Sequence, residues 1–212
     1  MELTPVETRV LGCLLEKERT TPDAYPLTLN SLLLACNQST NREPILTLNE
    51  REIEEALDGL RQKKLATVIF GGGSRVQKYR HILPDTYNFS PQEYALLCVL
   101  LLRGPQTVGE LRGRTERLAS FPQLSDVEGT LAGLAEGETP YVRHLPHRAG
   151  QKERRYVQLL SGEPVEPTPE ELAAPSLRER PGSDHASRLE ALEREVATLR
   201  ESLDELRRAL GA

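Results

Sequence analysis

One succession of elements, three helices and then a tyrosine-bearing basic ribbon, occurs twice in the first 160 residues of this 212-residue chain, which points to a tandem of small modules. The first copy opens with Thr4-Pro5-Val6-Glu7 ahead of Val10, Leu11, Leu14 and Leu15. The second opens with Ser90-Pro91-Gln92-Glu93 ahead of Leu96, Leu97, Leu100 and Leu101, 86 residues later. In both, a hydroxyl N-cap, a proline at the first helical position and a glutamate at the third form a capping box that satisfies free amides and fixes the helix start. Pro26-Leu27-Thr28-Leu29 leading to Leu32 matches Pro105-Gln106-Thr107-Val108 leading to Leu111, so a second helix follows each time. Ile53, Leu57 and Leu60 match Val127, Leu131 and Leu134 at an offset of 74, on one face of a third helix. The capping boxes expected to start it, Asn49 to Glu52 and Ser125 to Glu128, are 76 apart, two residues out of step with the cores they introduce.

After each third helix the period becomes extended. Ala66-Thr67-Val68-Ile69-Phe70, a glycine turn at residues 71–74 and Val76 to Ile82 predict a hairpin. Tyr141 to Leu145 and Arg154 to Leu159 predict a second, with Tyr79 and Tyr156 in equivalent positions. Three helices followed by a hairpin is the element order of the winged helix. The expected fold is mainly α with small β-hairpins, an α+β class built of two tandem winged-helix domains at residues 1–87 and 88–160. From residue 161 to 183 the chain turns rich in proline and glutamate, the signature of a flexible, solvated linker.

Residues 184–211 carry a heptad seam, Leu189, Leu192, Val196, Leu199, Leu203, Leu206 and Leu210. In a parallel dimer Arg188 would face Glu193 and Glu195 would face Arg200, both attractive. This predicts a homodimeric coiled coil; the alternative is an amphipathic helix folded back on its own domains.

The chain also resembles the YceH-like family of uncharacterised bacterial proteins. The resemblance rests on Leu11-Gly12-Cys13-Leu14-Leu15-Glu16-Lys17-Glu18, on Tyr25 to Leu32 and on Ala35 to Pro44, and it covers both repeats. It implies a dimeric tandem winged-helix protein with no established activity or cofactor, and carries over no catalytic residue. Its signature loop, with Asn37, Gln38, Ser39, Asn41 and Arg42, reads either as a binding loop or as turn formers whose side chains cap neighbouring helices.

Charge separates the two copies. Residues 1–87 carry 11 basic and 12 acidic side chains and residues 88–160 carry 9 and 8, so neither module is strongly basic. The third helix of the first repeat presents Glu50, Glu52, Glu54, Glu55 and Asp58, and that of the second has no basic residue, so either would meet phosphate repulsion in a major groove. The candidate nucleic-acid surface is instead the second wing. It carries Arg143, His144, His147, Arg148, Lys152, Arg154 and Arg155, opposed within the wing by Glu153, with Arg112, Arg114 and Arg117 nearby in sequence. The competing reading is a solvated hairpin whose arginines pair with acidic residues of the linker.

Signals for catalysis are weak. The glycines at 71–73 lack the lysine and following helix of a phosphate loop, and His144 and His147 lack a third ligand, so neither a catalytic nor a metal site is expected, nor a cofactor. Cys13, Cys36 and Cys98 lie within apolar helical runs, as buried reduced thiols do. No apolar stretch reaches membrane-spanning length and no secretory signal is evident, which places the expected protein in the cytoplasm with no membrane and no small-molecule substrate. Two functions stand: a dimeric protein-interaction scaffold or regulatory adaptor, which is favoured, and a DNA-binding regulator that uses the second wing on phosphates.

Overall fold

The computed structural model describes residues 2–70, 76–83, 87–146 and 153–163. The chain divides into two units, Met1–Val165 and Glu166–Ala212. The second, with its heptads, lies outside the described residues, as do residues 71–75, where the sequence predicts a glycine turn, and residues 147–152.

Among the described residues the fold is α+β, with six α-helices and two small antiparallel sheets. The first repeat runs α1 (Pro5–Thr20), β1 (Leu27–Thr28), α2 (Leu29–Cys36), α3 (Glu50–Gln62), β2 (Ala66–Phe70) and β3 (Gln77–His81). The second runs α4 (Pro91–Arg103), α5 (Val108–Thr115), α6 (Leu124–Ala135), β4 (Val142–His144) and β5 (Tyr156–Gln158). Both expected boxes at the first helices form: the Thr4 and Ser90 hydroxyls each accept from the glutamate amide three residues on, and that glutamate accepts from the cap amide. Thr28 and Thr107 cap α2 and α5 in the same way from their side chains.

The start of α6 corrects the expectation of a Ser125–Glu128 box. The helix begins at Leu124, and the Asp126 carboxylate accepts from the Gln123 amide at 2.9 Å. A short aspartate two residues into the apolar run reaches the cap amide, so Ser125 is already inside the helix. The N-caps Asn49 and Gln123 are therefore 74 residues apart, the same offset as the core positions, and the repeat is in step through its third helix.

The ribbons are related more closely than their lengths suggest. In the first sheet, ordered β1-β3-β2, Tyr79 pairs with Leu27 on one side and Val68 on the other. In the second, Tyr156 pairs with His144, and on its other side forms an isolated bridge to Gln106, at the place where Leu27 stands in the first copy. Gln106 is buried, its side-chain amide donating to the Arg103 and Pro105 carbonyls. A buried glutamine occupied with the preceding turn leaves one bridge where the first copy has a short strand.

The cores meet at α4. Every residue from Tyr94 to Leu102 is buried, the condition of a helix that is apolar all round. Tyr94, Cys98, Leu101 and Leu102 pack into the first repeat's core with Val10, Leu11, Leu14, Ile53 and Leu57. Ala95, Leu96, Leu97, Val99 and Leu100 pack into the second with Leu111, Val127, Leu131 and Leu134. The approach of α1 to α4 is close because Gly12 carries no side chain: a Cβ there would lie 2.8 Å from Leu102 Cδ2 and 3.2 Å from Leu101 Cβ. The Cys98 thiol donates to the Gly12 carbonyl at 3.5 Å across the same contact. All three cysteines are buried and free.

Candidate functional site

The second ribbon holds its cations close to carboxylates and carbonyls. Arg143 pairs with Glu163, just past the end of the module, at 2.5 Å. Arg155 turns back onto α5, donating to both Glu110 oxygens at 2.8 and 3.3 Å and to the Pro105 carbonyl at 2.8 Å. Glu110 also accepts from the Thr107 amide. Burial pushes its carboxyl up, but the Thr107 amide and the charges of Arg155 and Arg114 hold it below the ordinary glutamate value. His144 lies against the Tyr156 ring with centroids 3.9 Å apart. Burial and the nearby Arg154 push its imidazole below the ordinary histidine value, so at neutral pH it adds no charge to the ribbon. Arg154 is exposed and has no ion-pair partner among the described residues. His147, Arg148 and Lys152 lie outside the described residues.

Of the three arginines grouped with the second ribbon by sequence proximity, Arg114 alone stays close to it. Arg112 donates to the Phe121 and Pro122 carbonyls at 3.1 and 2.7 Å, fastening the connection between α5 and α6. Arg114 stands 3.7 Å from Glu110, and both Arg114 and Arg117 line a cleft with Arg103 of α4. The structure thus brings Arg143, His144, Arg154 and Arg155 together on one ribbon, keeps Arg114 beside it through the Glu110 carboxylate that Arg155 also grips, and places Arg112 and Arg117 elsewhere.

The signature loop is built around Arg42, whose side chain is fully buried. Its Nε donates to the Ala35 carbonyl at the end of α2 at 3.1 Å, and its two terminal nitrogens donate to Glu16 Oε1 and Oε2 of α1 at 3.1 and 2.5 Å. Gln38 Oε1 and the Asn41 carbonyl accept its remaining protons at 2.9 Å. This fork-to-fork geometry is available to arginine and not to lysine. Burial pushes the Glu16 carboxyl up, and the hydrogen bonds and charge of Arg42, helped by Lys17, more than reverse it, leaving it below its ordinary value. Asn37 clasps the far end of the loop, its amide donating to the Leu48 carbonyl and its oxygen accepting from the Leu48 amide, both at 2.8 Å. Arg9 of α1 joins the two ends, donating to the Cys36 carbonyl at 3.1 Å and the Pro44 carbonyl at 2.5 Å. The loop also reaches the second repeat: the Glu43 amide donates to the Leu102 carbonyl at 2.9 Å, and Arg103 donates to the Asn41 side chain. Ser39 and Asn41 are exposed.

Arg9, Glu16 and Arg103 were not singled out in the sequence. Arg9 and Glu16 lie seven apart, on one face of α1 with Cys13 between them, and two charges at either end of the apolar run Val10–Leu15 are the available signal. Among the described residues, no group of three or more histidine, cysteine, aspartate and glutamate side chains is placed to hold a metal ion, and no helix is long and apolar enough to cross a membrane.

Residues 3–151 match the family model described as "Protein of unknown function, DUF480". The chain is 51% identical to the UPF0502 protein GSU0233 of Geobacter sulfurreducens over 93% of its length and 90% of that relative. It is 49% identical to a UPF0502 protein of Solibacter usitatus, covering 98% of this chain and 97% of the other. With a UPF0502 protein of Shewanella woodyi the identity is 46%, over 97% and 99%. A match that spans both repeats, at about half identity across nearly the whole length of each relative, establishes that the chain belongs to this bacterial family, DUF480 or UPF0502, with which the YceH-like resemblance is consistent.

Proposed function

We propose that the chain is a non-enzymatic binding module of two tandem winged helices, a scaffold or regulatory adaptor that dimerises through its C-terminal heptads and engages another protein. The winged-helix reading is supported by element order, and by the tyrosine of each ribbon pairing on both sides at equivalent positions. The observation that carries the class of partner is the apolar surface of the first repeat. Phe70 and Val76, exposed at 68% and 54%, stand at the distal end of the β2–β3 ribbon, while Leu34 and Ile45, at 64% and 63%, flank the Arg9 clasp in sequence. Large apolar side chains left in solvent suit an apolar protein partner, and the carboxylates of α3 disfavour phosphate. The cations of the second wing are meanwhile partly spent on Glu110 and Glu163.

The test is capture by the full-length protein from nuclease-treated lysate, with Phe70→Asp/Val76→Asp as the comparison. A stoichiometric protein retained by the wild type and lost by the variant, with the variant's melting curve unchanged, is the expected result. Retention by both, or loss of every partner on nuclease treatment, refutes the reading.

The second reading, DNA contact through the second wing, is favoured by exposed Arg154 beside a tip that carries His147, Arg148 and Lys152 in sequence. It requires affinity for duplex to fall with a log-log salt slope of about −0.9 per phosphate neutralised. Salt-insensitive binding, or none at low salt, rejects it.

A further inference from the structure

We propose that the cleft between the two repeats is a binding site for a small phosphate monoester with an apolar body. The cleft is about 210 Å³, bounded by the end of α1, the signature loop, α4 and the C-terminal half of α5. Its chemistry is divided. Val99, Leu102 and Leu118 supply an apolar surface, and Arg103, Arg114 and Arg117 supply three guanidinium groups. Polar and apolar groups share the lining, and convergent polar groups of this kind fix the orientation of a small ligand.

Charge selects the ligand. Two carboxylates also line the cleft, and one of them, Glu16, is already held by both terminal nitrogens of Arg42. Glu116 is exposed and has no ion-pair partner among the described residues, so it offsets one guanidinium. Arg114 is only loosely neutralised, because Glu110, 3.7 Å away, is gripped more closely by Arg155 at 2.8 Å. Arg117 has no ion-pair partner among the described residues. Arg103 donates to the neutral Asn41 side chain, not to a carboxylate. The excess is two positive charges facing a concave apolar surface, which matches a dianionic head with an apolar remainder. A guanidinium fork binds phosphate oxygens through paired, charge-assisted hydrogen bonds. Burial first, and then the charge of Arg114, lower the proton affinity of Arg103, with the Glu43 carboxylate opposing them.

Binding here would bridge the repeats, since the signature loop supplies Asn41 and the second repeat supplies the arginines. The test uses the full-length protein with phenyl phosphate and inorganic phosphate as probes, followed through methyl resonances of Val99, Leu102 and Leu118. Saturable shifts with phenyl phosphate, at least ~10-fold weaker with inorganic phosphate, are expected. Arg103→Gln/Arg117→Gln should weaken phenyl phosphate by at least ~10-fold. Arg51→Gln, which removes one exposed cation from α3, should leave binding unchanged. Circular dichroism melts confirm that each variant is folded; if the double variant is not, the single Arg117→Gln, an exposed side chain, takes its place with the same expectation. No saturable shift, equal affinity for the two probes, or equal weakening by Arg51→Gln overturns the proposal.

Discussion

Replacing Arg42 by methionine removes the guanidinium while keeping most of the aliphatic stem, so the perturbation isolates charge and hydrogen bonding from cavity formation. The variant loses donors to Glu16, Ala35, Gln38 and Asn41 and leaves the Glu16 carboxylate, 14% exposed, with Lys17 at 3.6 Å as its remaining cation. Breaking a buried pair from one side costs about 3–5 kcal/mol. For a domain of this size that lowers the melting temperature by roughly 6–20 °C at about 2–4 °C per kcal/mol. Because Glu16→Gln removes the stranded charge, the double variant Glu16→Gln/Arg42→Met should cost less than the sum of the single changes, by about 0.5–3 kcal/mol. The pH dependence has a defined sign. The folded Glu16 carboxyl lies below its ordinary value, so the pair's contribution is complete above the unfolded value near ~4.3 and is lost as pH falls through the folded value. In Arg42→Met the burial that pushes Glu16 up is no longer reversed by Arg42, so protonation relieves the folded state. The stability gap between wild type and variant should therefore close as pH falls from 6 towards 3. Urea melts across that range measure it. A cost under ~1 kcal/mol, strict additivity in the cycle, or a gap independent of pH would refute the account of Arg42 as the centre of the loop.

Four further outcomes follow from packing and charge. Gly12→Val should cost at least ~2 kcal/mol by overpacking α1 against Leu101 and Leu102, seen as a fall of roughly 4–8 °C in melting temperature. His81 is buried with Nε2 2.9 Å from Glu18, and burial holds its imidazole below the ordinary value. Its contribution is therefore complete above the unfolded pKa near ~6.5 and declines as pH falls from there through the folded value, so His81→Gln should flatten the melting temperature between pH 7.5 and 5. Leu199→Asp should dissociate a dimer held by the C-terminal heptads, and an unchanged mass in sedimentation would remove the coil as its main contact. A fragment ending at residue 87 should lack cooperative unfolding in circular dichroism, because it forfeits the α4 side chains of its own core, each contributing about 1.5–3 kcal/mol when buried.

The helices, ribbons and most caps were legible in the sequence because their signals are local. Thr4, Asn49 and Ser90 act within three residues of themselves, and the β-rich run at residues 66–70 and the alternation at residues 76–82 need no knowledge of the partner strand. What was not legible depends on distance along the chain. Arg42 meets Glu16 across 26 residues and Arg103 meets Asn41 across 62, and nothing in the composition of either segment announces the other. The same reason explains the scattering of the arginine cluster. Arg112, Arg114 and Arg117 are neighbours in sequence, but on helical geometry residues two and five apart do not share a face, and the structure sends Arg112 to the Phe121 and Pro122 carbonyls and the other two to the cleft. Summing charges over a segment counted as one surface what the fold divides between two.

The duplicated pattern has a different meaning once α4 is seen to serve both cores. In a tandem of independent modules, the first helix of the second copy would bury one face and leave the other in solvent. Here the opposite face of α4, through Tyr94, Cys98, Leu101 and Leu102, completes the first copy, and Gly12 allows α1 close enough for the Cys98 thiol to reach its backbone. The sequence repeat therefore breaks at residues 87–88, whereas the cores are joined through a helix that begins at Pro91. A shared helix of this kind couples the copies energetically, since loosening either core exposes apolar surface in the other. It also frees them to diverge. The signature loop, held by Arg9, Asn37 and Arg42, belongs to the first copy and contacts the end of α4, while the ion-paired β4–β5 ribbon belongs to the second. Any ligand in the cleft or partner on the first ribbon then acts on a structure in which the two repeats respond as one.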